Sequence, residues 1–144
     1  MNKKIKTYRE SLCQGALFYA QFPDDPQGEP HYIIVMNKDP KKDNFIYVVN
    51  CTTDGDRIKS FRKNQGQPES TLLDVEAKDI KSLITTSLID CSSITPYYHD
   101  QIPSGRSFRE HGKISSDLLQ KIINGVKDNK DTISPHIKKC ICGN

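Results

Sequence analysis

The stretch FIYVVNCTT, residues Phe45–Thr53, decides the fold that this sequence predicts. Its first five side chains are aromatic or β-branched, the types that pack well on a pleated sheet. Turn-forming residues lie on both sides, Pro40 before the stretch and Gly55 after it, so the pattern favours a short buried strand rather than a helix. The strand ends in Thr52 and Thr53, and a strand end is where a rigid scaffold often presents polar side chains to a groove.

Further short apolar segments predict a sheet around this strand. Residues 54–70 are polar and basic and predict a long loop or a loose hairpin arm, and residues 77–83 predict one or two helical turns. Residues 97–112 predict an irregular chain, because Pro103 and Gly105 interrupt them. The other predicted strands are Ala16–Phe22, Tyr32–Met36, Leu72–Val75 and Ser87–Cys91, the last continuing through Ile94.

A helix closes the predicted domain. Ser115 or Ser116 can supply the N-cap oxygen, and apolar residues then recur at helical spacing from Leu118 to Val126. Short strands with one packed helix predict an α+β fold, mainly β, built as a small antiparallel barrel with a packed C-terminal helix. We expect residues 1–14 to form a polar N-terminal arm (a short helix or a disordered segment), residues 15–130 the barrel domain and residues 131–144 a tail.

The composition indicates a globular chain rather than a disordered one, since 35% of the 144 residues are hydrophobic and 27% are charged. No apolar run approaches the roughly 18 residues that a membrane helix requires, and the basic N-terminus has no apolar segment of a secretory signal. We therefore expect a cytoplasmic protein with no membrane partner. The net charge of +3 permits nucleic-acid binding without requiring it.

Basic residues cluster in segments that the strand pattern assigns to loops. Each cluster is either a solvated surface or a track for phosphate groups. The candidate nucleic-acid-binding residues are Arg57, Lys59, Arg62, Lys63, Arg106 and Arg109.

The five cysteines do not predict a disulfide framework, because their number is odd and their spacing irregular. Cys51 and Cys91 lie within apolar strand patterns, so we expect small buried side chains rather than nucleophiles. His136, Cys140 and Cys142 could supply part of a metal site, but no CxxC pair and no second half accompany them. We expect no metal and no other cofactor.

Metal-independent RNA cleavage needs few side chains. A base takes the 2′-OH proton, a cation or amide stabilises the phosphorane, and an acid protonates the leaving oxygen. Thr52, Thr53 and Asp90 are the candidate catalytic residues, although threonine hydroxyls also cap turns and Asp90 could be an outward-facing strand residue. His31 and His111 are further candidates, the first more simply structural at a strand start and the second more simply a solvated loop residue.

Several segments, taken in order over about residues 14–127, carry a resemblance to a known family. They are GALFYAQF (15–22), QGEPHYIIVMNKD (27–39), VVNCTT (48–53), SLIDCSSI (87–94) and HGKISSDLLQKIINGV (111–126). These segments resemble, in the same order, five parts of the PemK/MazF toxins, a family that includes Kid. Those parts are the opening strand, the Gln-Gly-x-Arg-Pro motif with its following strand, the VPxTT strand end, the later acidic strand and the closing helix.

The resemblance implies an SH3-like barrel that acts as a dimeric, sequence-selective endoribonuclease in a toxin-antitoxin system. It therefore implies RNA, an antitoxin protein and a second copy of the chain as partners, and Thr52, Thr53 and Asp90 as the matching site positions. The sequence departs from the family where Glu29 replaces the arginine before Pro30, and no arginine precedes Asp90 in its strand. The cationic group would then come from the loop arginines. The alternative is a non-catalytic barrel module that binds nucleic acid or a partner protein.

Overall fold

A computed structural model describes residues 2–143, which form seven strands and four α-helices. The strands are β1 Ala16–Ala20, β2 His31–Val35, β3 Ile46–Thr52, β4 Leu72–Val75, β5 Ser87–Asp90, β6 Thr95–Tyr97 and β7 Arg109–Lys113. The helices are α1 Lys3–Ser11, α2 Gly55–Asn64, α3 Ser116–Asp128 and α4 Pro135–Cys142, and short 3₁₀ turns occur at Glu69–Thr71 and Ile102–Ser104.

The strands pair antiparallel in the order β4-β5-β3-β2-β1-β7, and β6 also pairs with β3. The strand β3, predicted from its aromatic and β-branched residues, is the shared centre of this sheet. It pairs with β2 along one edge, and with β6 and then β5 along the other. The prediction of an antiparallel α+β fold with a packed C-terminal helix is confirmed. Within residues 2–143, no ladder joins β4 to β7, so the sheet is not a closed barrel.

One face of the sheet packs against α3 and α4. Ile34 and Val49 on the sheet share a buried cluster with Ile122 of α3 and Ile141 of α4. The helix α3 begins where the sequence predicted, because the Ser115 hydroxyl accepts a hydrogen bond from the backbone N–H of Leu118 at 3.1 Å. The predicted C-terminal tail is thus largely the helix α4, packed into the core.

The opposite face of the sheet packs against α1, which occupies much of the predicted N-terminal arm. Tyr8 is the buried residue of α1, and its ring centroid lies 5.1 Å from that of Phe18 in β1. The Phe108 ring stacks on Phe18 at 5.5 Å and completes an aromatic cluster. Burial of large rings fixes an otherwise polar helix to the sheet.

Several segments differ from their predicted structure. Residues 55–64, predicted as loop, form α2, which has no fully buried residue and no apolar stripe to reveal it. The region predicted as irregular, residues 97–112, contains most of β7, and the short strand β6 ends at its first residue. The strand β7 reads REHGK and gains its regular structure from pairing with β1 rather than from apolar side chains. Residues 77–83 form turns without a helix, and the chain turns after Asp90 instead of continuing as a strand.

A glycine sets the distance between α3 and the sheet. A Cβ on Gly125 would lie 2.6 Å from the Cys91 Sγ and 2.8 Å from the Ser70 carbonyl oxygen. We expect Gly125→Ala to lower the free energy of unfolding by about 1–3 kcal/mol through overpacking, despite the better helix propensity of alanine. Urea unfolding measures this, with exposed Asn124→Ala as the control; equal stability of the two variants would contradict the prediction.

Candidate functional site

The ends of several neighbouring strands surround an open groove at one end of the sheet. The end of β1 pairs with the start of β2 through Tyr19 and Tyr32, and with the start of β7 through Tyr19 and Arg109. The end of β3, with Thr52 and Thr53, lies on the other side of the same groove, whose volume is about 720 Å³. We call it the strand-end groove. Its lining includes Tyr19, His31, Tyr32, Thr53, Arg109 and His111.

The floor of the strand-end groove is aromatic. The Tyr19 and Tyr32 ring centroids lie 5.0 Å apart with an interplanar angle of 54°, and the His111 ring meets Tyr32 edge-on at 5.4 Å. Both tyrosines are half-buried, and Tyr32 also packs against the core. Aromatic surface of this kind stacks nucleobases and tolerates any base, because every base has a π-face.

A β-bulge directs His111 toward this floor. Ala16 pairs with Lys113 and Phe18 with Glu110, so His111 and Gly112 together oppose the single residue Leu17. The φ of Gly112 is +73°, a left-handed conformation that glycine adopts without strain. Bulges commonly re-aim a side chain beside a functional site, and here the bulged residue carries an imidazole.

A second imidazole, His31, lies at the start of β2 and also lines the strand-end groove. Its ring packs on Phe22 with centroids 4.9 Å apart, a contact that restrains the imidazole. Histidine is the side chain best suited to give and take protons near neutral pH. The groove thus has two groups capable of acid-base chemistry.

Arg109 supplies the positive charge of the groove. Its side chain is exposed, and no carboxylate within residues 2–143 lies at ion-pairing distance from it. Glu29 is the carboxylate that lines the same groove, and it is exposed. An arginine without a protein carboxylate is free to bind an anionic ligand through its planar donors.

The two predicted threonines differ in their surroundings. The Thr52 hydroxyl accepts a hydrogen bond from the backbone N–H of Asp54 at 3.3 Å, so it caps the turn after β3. Thr53 is exposed at the groove. Both also line a smaller cleft of about 260 Å³ on the α2 side, where Asp54, Asp56 and Asp74 outnumber Lys59. Carboxylates repel phosphate, so the strand-end groove is the side that suits an anionic ligand.

Asp90, the third predicted catalytic residue, is held in a buried ion pair. Its Oδ2 accepts a hydrogen bond from the Arg62 Nε of α2 at 2.9 Å, and its Oδ1 accepts one from the Ser92 backbone N–H at 3.0 Å. Both side chains are largely buried, at 13% exposed for Arg62 and 9% for Asp90. Asp90 does not line the strand-end groove. Its contacts therefore connect α2 to the sheet.

The other predicted basic residues divide into two groups. Arg57 pairs with Asp54 at 2.5 Å and Lys59 with Asp74 at 2.9 Å, so carboxylates offset their charges. Lys63 and Arg106 are exposed and lie outside the groove. Of the six predicted nucleic-acid-binding residues, the groove contains Arg109 alone.

The buried thiols of Cys51 and Cys91 should react more slowly than the exposed thiol of Cys13. Burial raises the pKa of Cys51 and of Cys91 to about 12, so both stay protonated and poorly nucleophilic at neutral pH. We expect iodoacetamide at mildly alkaline pH to label exposed Cys13 first and to leave Cys51 and Cys91 unmodified. Mass spectrometry of tryptic peptides measures the labelling, and denatured protein, in which all five should react, is the control. Early modification of Cys51 in the folded protein would contradict this expectation.

Residues 2–143 contain neither a metal-binding cluster nor a membrane-spanning helix. No group of three or more His, Cys, Asp or Glu side chains is arranged to hold a metal ion. No helix is both long and apolar enough to cross a bilayer. Another cavity, of about 1110 Å³, is lined by the α3–α4 loop and α4, where the Lys138 Nζ donates hydrogen bonds to the carbonyls of Lys127 and Asn129.

Neither a scan against models of known protein families nor a search of curated proteins found a match to this chain. The candidate site is therefore defined by its own geometry. Sequence reasoning missed Tyr19 and Tyr32 as site residues, because tyrosines in apolar segments are typical of a core. The alternating pattern places them on one face of paired strands, but only the register brings them to the same strand end.

Proposed function

We propose that this protein is a PemK/MazF-like toxin that cleaves RNA without a metal ion. The proposal depends on one observation above all: the strand-end groove contains two histidines, an arginine without a carboxylate partner and an aromatic floor. These are the groups that RNA cleavage by acid-base chemistry requires. The order of sequence segments that resembles the family gives independent support.

In the proposed reaction, one of His31 and His111 removes the proton from a ribose 2′-OH. The 2′ oxygen attacks the adjacent phosphorus, and Arg109 stabilises the negative charge that develops on the phosphorane oxygens. The other histidine donates a proton to the 5′ oxygen as the P–O bond breaks. The products are a 2′,3′-cyclic phosphate and a 5′-hydroxyl end, and the Tyr19–Tyr32 floor stacks a base beside the cut.

Thr53 is proposed to bind the scissile phosphate through its hydroxyl, because it is the exposed threonine of the groove. For Asp90 we propose a supporting role through Arg62 in place of direct catalysis, since the pair is buried outside the groove. We also propose that the open sheet is a version of the SH3-like barrel. An antitoxin protein and a homodimer remain proposals from the resemblance alone.

The test is incubation of the purified protein with long mixed-sequence RNA in EDTA. We expect discrete cuts with 2′,3′-cyclic phosphate ends, and a loss of about 10²- to 10⁴-fold in rate for His31→Gln or His111→Gln. His136→Gln, altered in α4 outside the groove, is the matched control and should cut normally. RNA left intact by the unaltered protein, or normal cutting by both groove variants, would reject this mechanism.

A second candidate function is a non-catalytic module that binds nucleic acid or a partner protein. The specific observation in its favour is that Arg109 is the single arginine of the groove, while Arg57, Lys59 and Arg62 lie outside it and are each paired with a carboxylate. Binding without cutting, with an affinity that falls steeply with salt, would support nucleic-acid recognition. Salt-insensitive capture of a protein partner would support the other form of this alternative.

A further inference from the structure

A second groove begins where the strand-end groove ends. It has a volume of about 870 Å³, lies between α1 and β7, and includes Lys3, Lys4, Phe108 and Arg109 in its lining. We call it the α1 groove. Arg109 lines both grooves, so the two grooves adjoin at this side chain. A ligand bound at the strand-end groove can therefore extend along α1.

The charge of the α1 groove suits an anionic chain. Its lining has three cationic side chains, Lys3, Lys4 and Arg109, and one carboxylate, Glu110, which accepts a hydrogen bond from the backbone N–H of Gly112. Lys3 and Lys4 are exposed and form no ion pair within residues 2–143. The Lys4 Nζ donates a 3.4 Å hydrogen bond to the Gly105 carbonyl, which positions the amine and leaves its charge uncompensated.

Apart from the Lys4–Gly105 hydrogen bond, no contact among the described residues accounts for the charges of these two lysines. The helix α1 is attached to the sheet by Tyr8, and no acidic residue lies in its first turn. Cations at a helix N-terminus oppose the helix dipole, so Lys3 and Lys4 add nothing to the stability of α1. Residues that are unfavourable for their local secondary structure, and that gain no stabilising contact in return, are expected at functional surfaces.

We propose that the α1 groove binds the part of a single-stranded RNA that flanks the cleaved phosphate. Lys3 and Lys4 contact backbone phosphates, and Ile5, the partly exposed apolar side chain of the lining, contacts a ribose or a base. This inference rests on the proposed function, because it takes Arg109 as the point where the strand passes from one groove to the other. It assigns α1 a role in substrate length preference.

The test measures binding by the full chain, tagged at the C-terminus so that α1 is unaltered. The probes are 2′-O-methyl RNAs, which cannot be cut, of about 4 and about 16 nucleotides, the range that single-strand sites span. For Lys3→Ala/Lys4→Ala, we expect weaker binding of the long probe, unchanged binding of the short probe and a salt slope flatter by about 1.4, or roughly 0.7 for each lost phosphate contact. Lys41→Ala/Lys42→Ala, altered in the β2–β3 turn, is the matched control.

The outcomes separate this inference from the proposed function. Reduced binding of the long probe with an unaltered melting temperature supports the α1 groove, whether or not the protein cuts RNA. Equal loss in the Lys41/Lys42 control, or identical salt slopes for Lys3→Ala/Lys4→Ala and the unaltered protein, would overturn it even if cutting is intact. Unchanged RNA binding together with lost binding of polyglutamate would instead make the α1 groove a site for an acidic protein and reject the RNA proposal.

Discussion

Arg109→Ala is expected to lower the rate of RNA cleavage by about 10²- to 10³-fold, the loss typical when one group that stabilises the transition-state charge is removed. The physical reason is that Arg109 is the cation lining the strand-end groove, and that no carboxylate among the described residues competes for it. Single-turnover cleavage of a defined RNA measures the effect. Stability should change little, because the side chain is exposed.

Arg106→Ala is the matched control for this experiment, since Arg106 is an exposed arginine of the same segment that lies outside the groove. It should cut RNA at a normal rate. Arg109→Lys keeps the charge but not the planar fork of donors, so we expect an intermediate rate. Equal rates for Arg109→Ala and Arg106→Ala would show that the groove arginine has no part in the chemistry.

Asp90→Ala is expected to destabilise the protein by about 3–5 kcal/mol, because it leaves the Arg62 charge buried without its partner. Unfolding in urea measures the change. Arg57→Ala is the control, since it breaks an exposed ion pair of the same helix and should cost at most about 1 kcal/mol. The double variant Arg62→Leu/Asp90→Leu should recover much of the stability, because no unpaired charge then remains.

The single variant Asp90→Ala also distinguishes a structural role of Asp90 from a catalytic one. If the carboxylate supports the fold through Arg62, cleavage by Asp90→Ala at low temperature, where the protein is still folded, should be close to normal per folded molecule. If the carboxylate takes part in the chemistry, activity should be lost under conditions where the far-UV spectrum is unchanged. The second result would reinstate Asp90 as a catalytic residue and reject the supporting role.

The sequence predicted the elements whose residues carry their own signal. The strand β3 was found from its aromatic and β-branched residues, and α3 from its N-cap serine and apolar stripe. The elements α2 and β7 were missed, because both are polar and owe their structure to what they contact. Local patterns report burial, and these two segments bury little of their own surface.

The candidate site was predictable in its residue types more than in its arrangement. Thr53 and Arg109 were identified and do line one groove, but Asp90 was grouped with them although its carboxylate pairs with Arg62. The tyrosine floor depends on strand register and the aim of His111 on a bulge. Register and bulges are set by pairing between distant segments, so no single segment of sequence contains them.

The two sides of the strand-end groove should differ in how readily they open. On one side, Thr52 ends the strand that pairs with three others, so this wall is attached to the centre of the sheet. On the other side, residues 82–85 form no strand, and the Ile84 side chain is 97% exposed. The groove therefore has a rigid side and a side whose backbone can move at little energetic cost. This difference would let the groove accept bases of unequal size while the reacting groups stay in place.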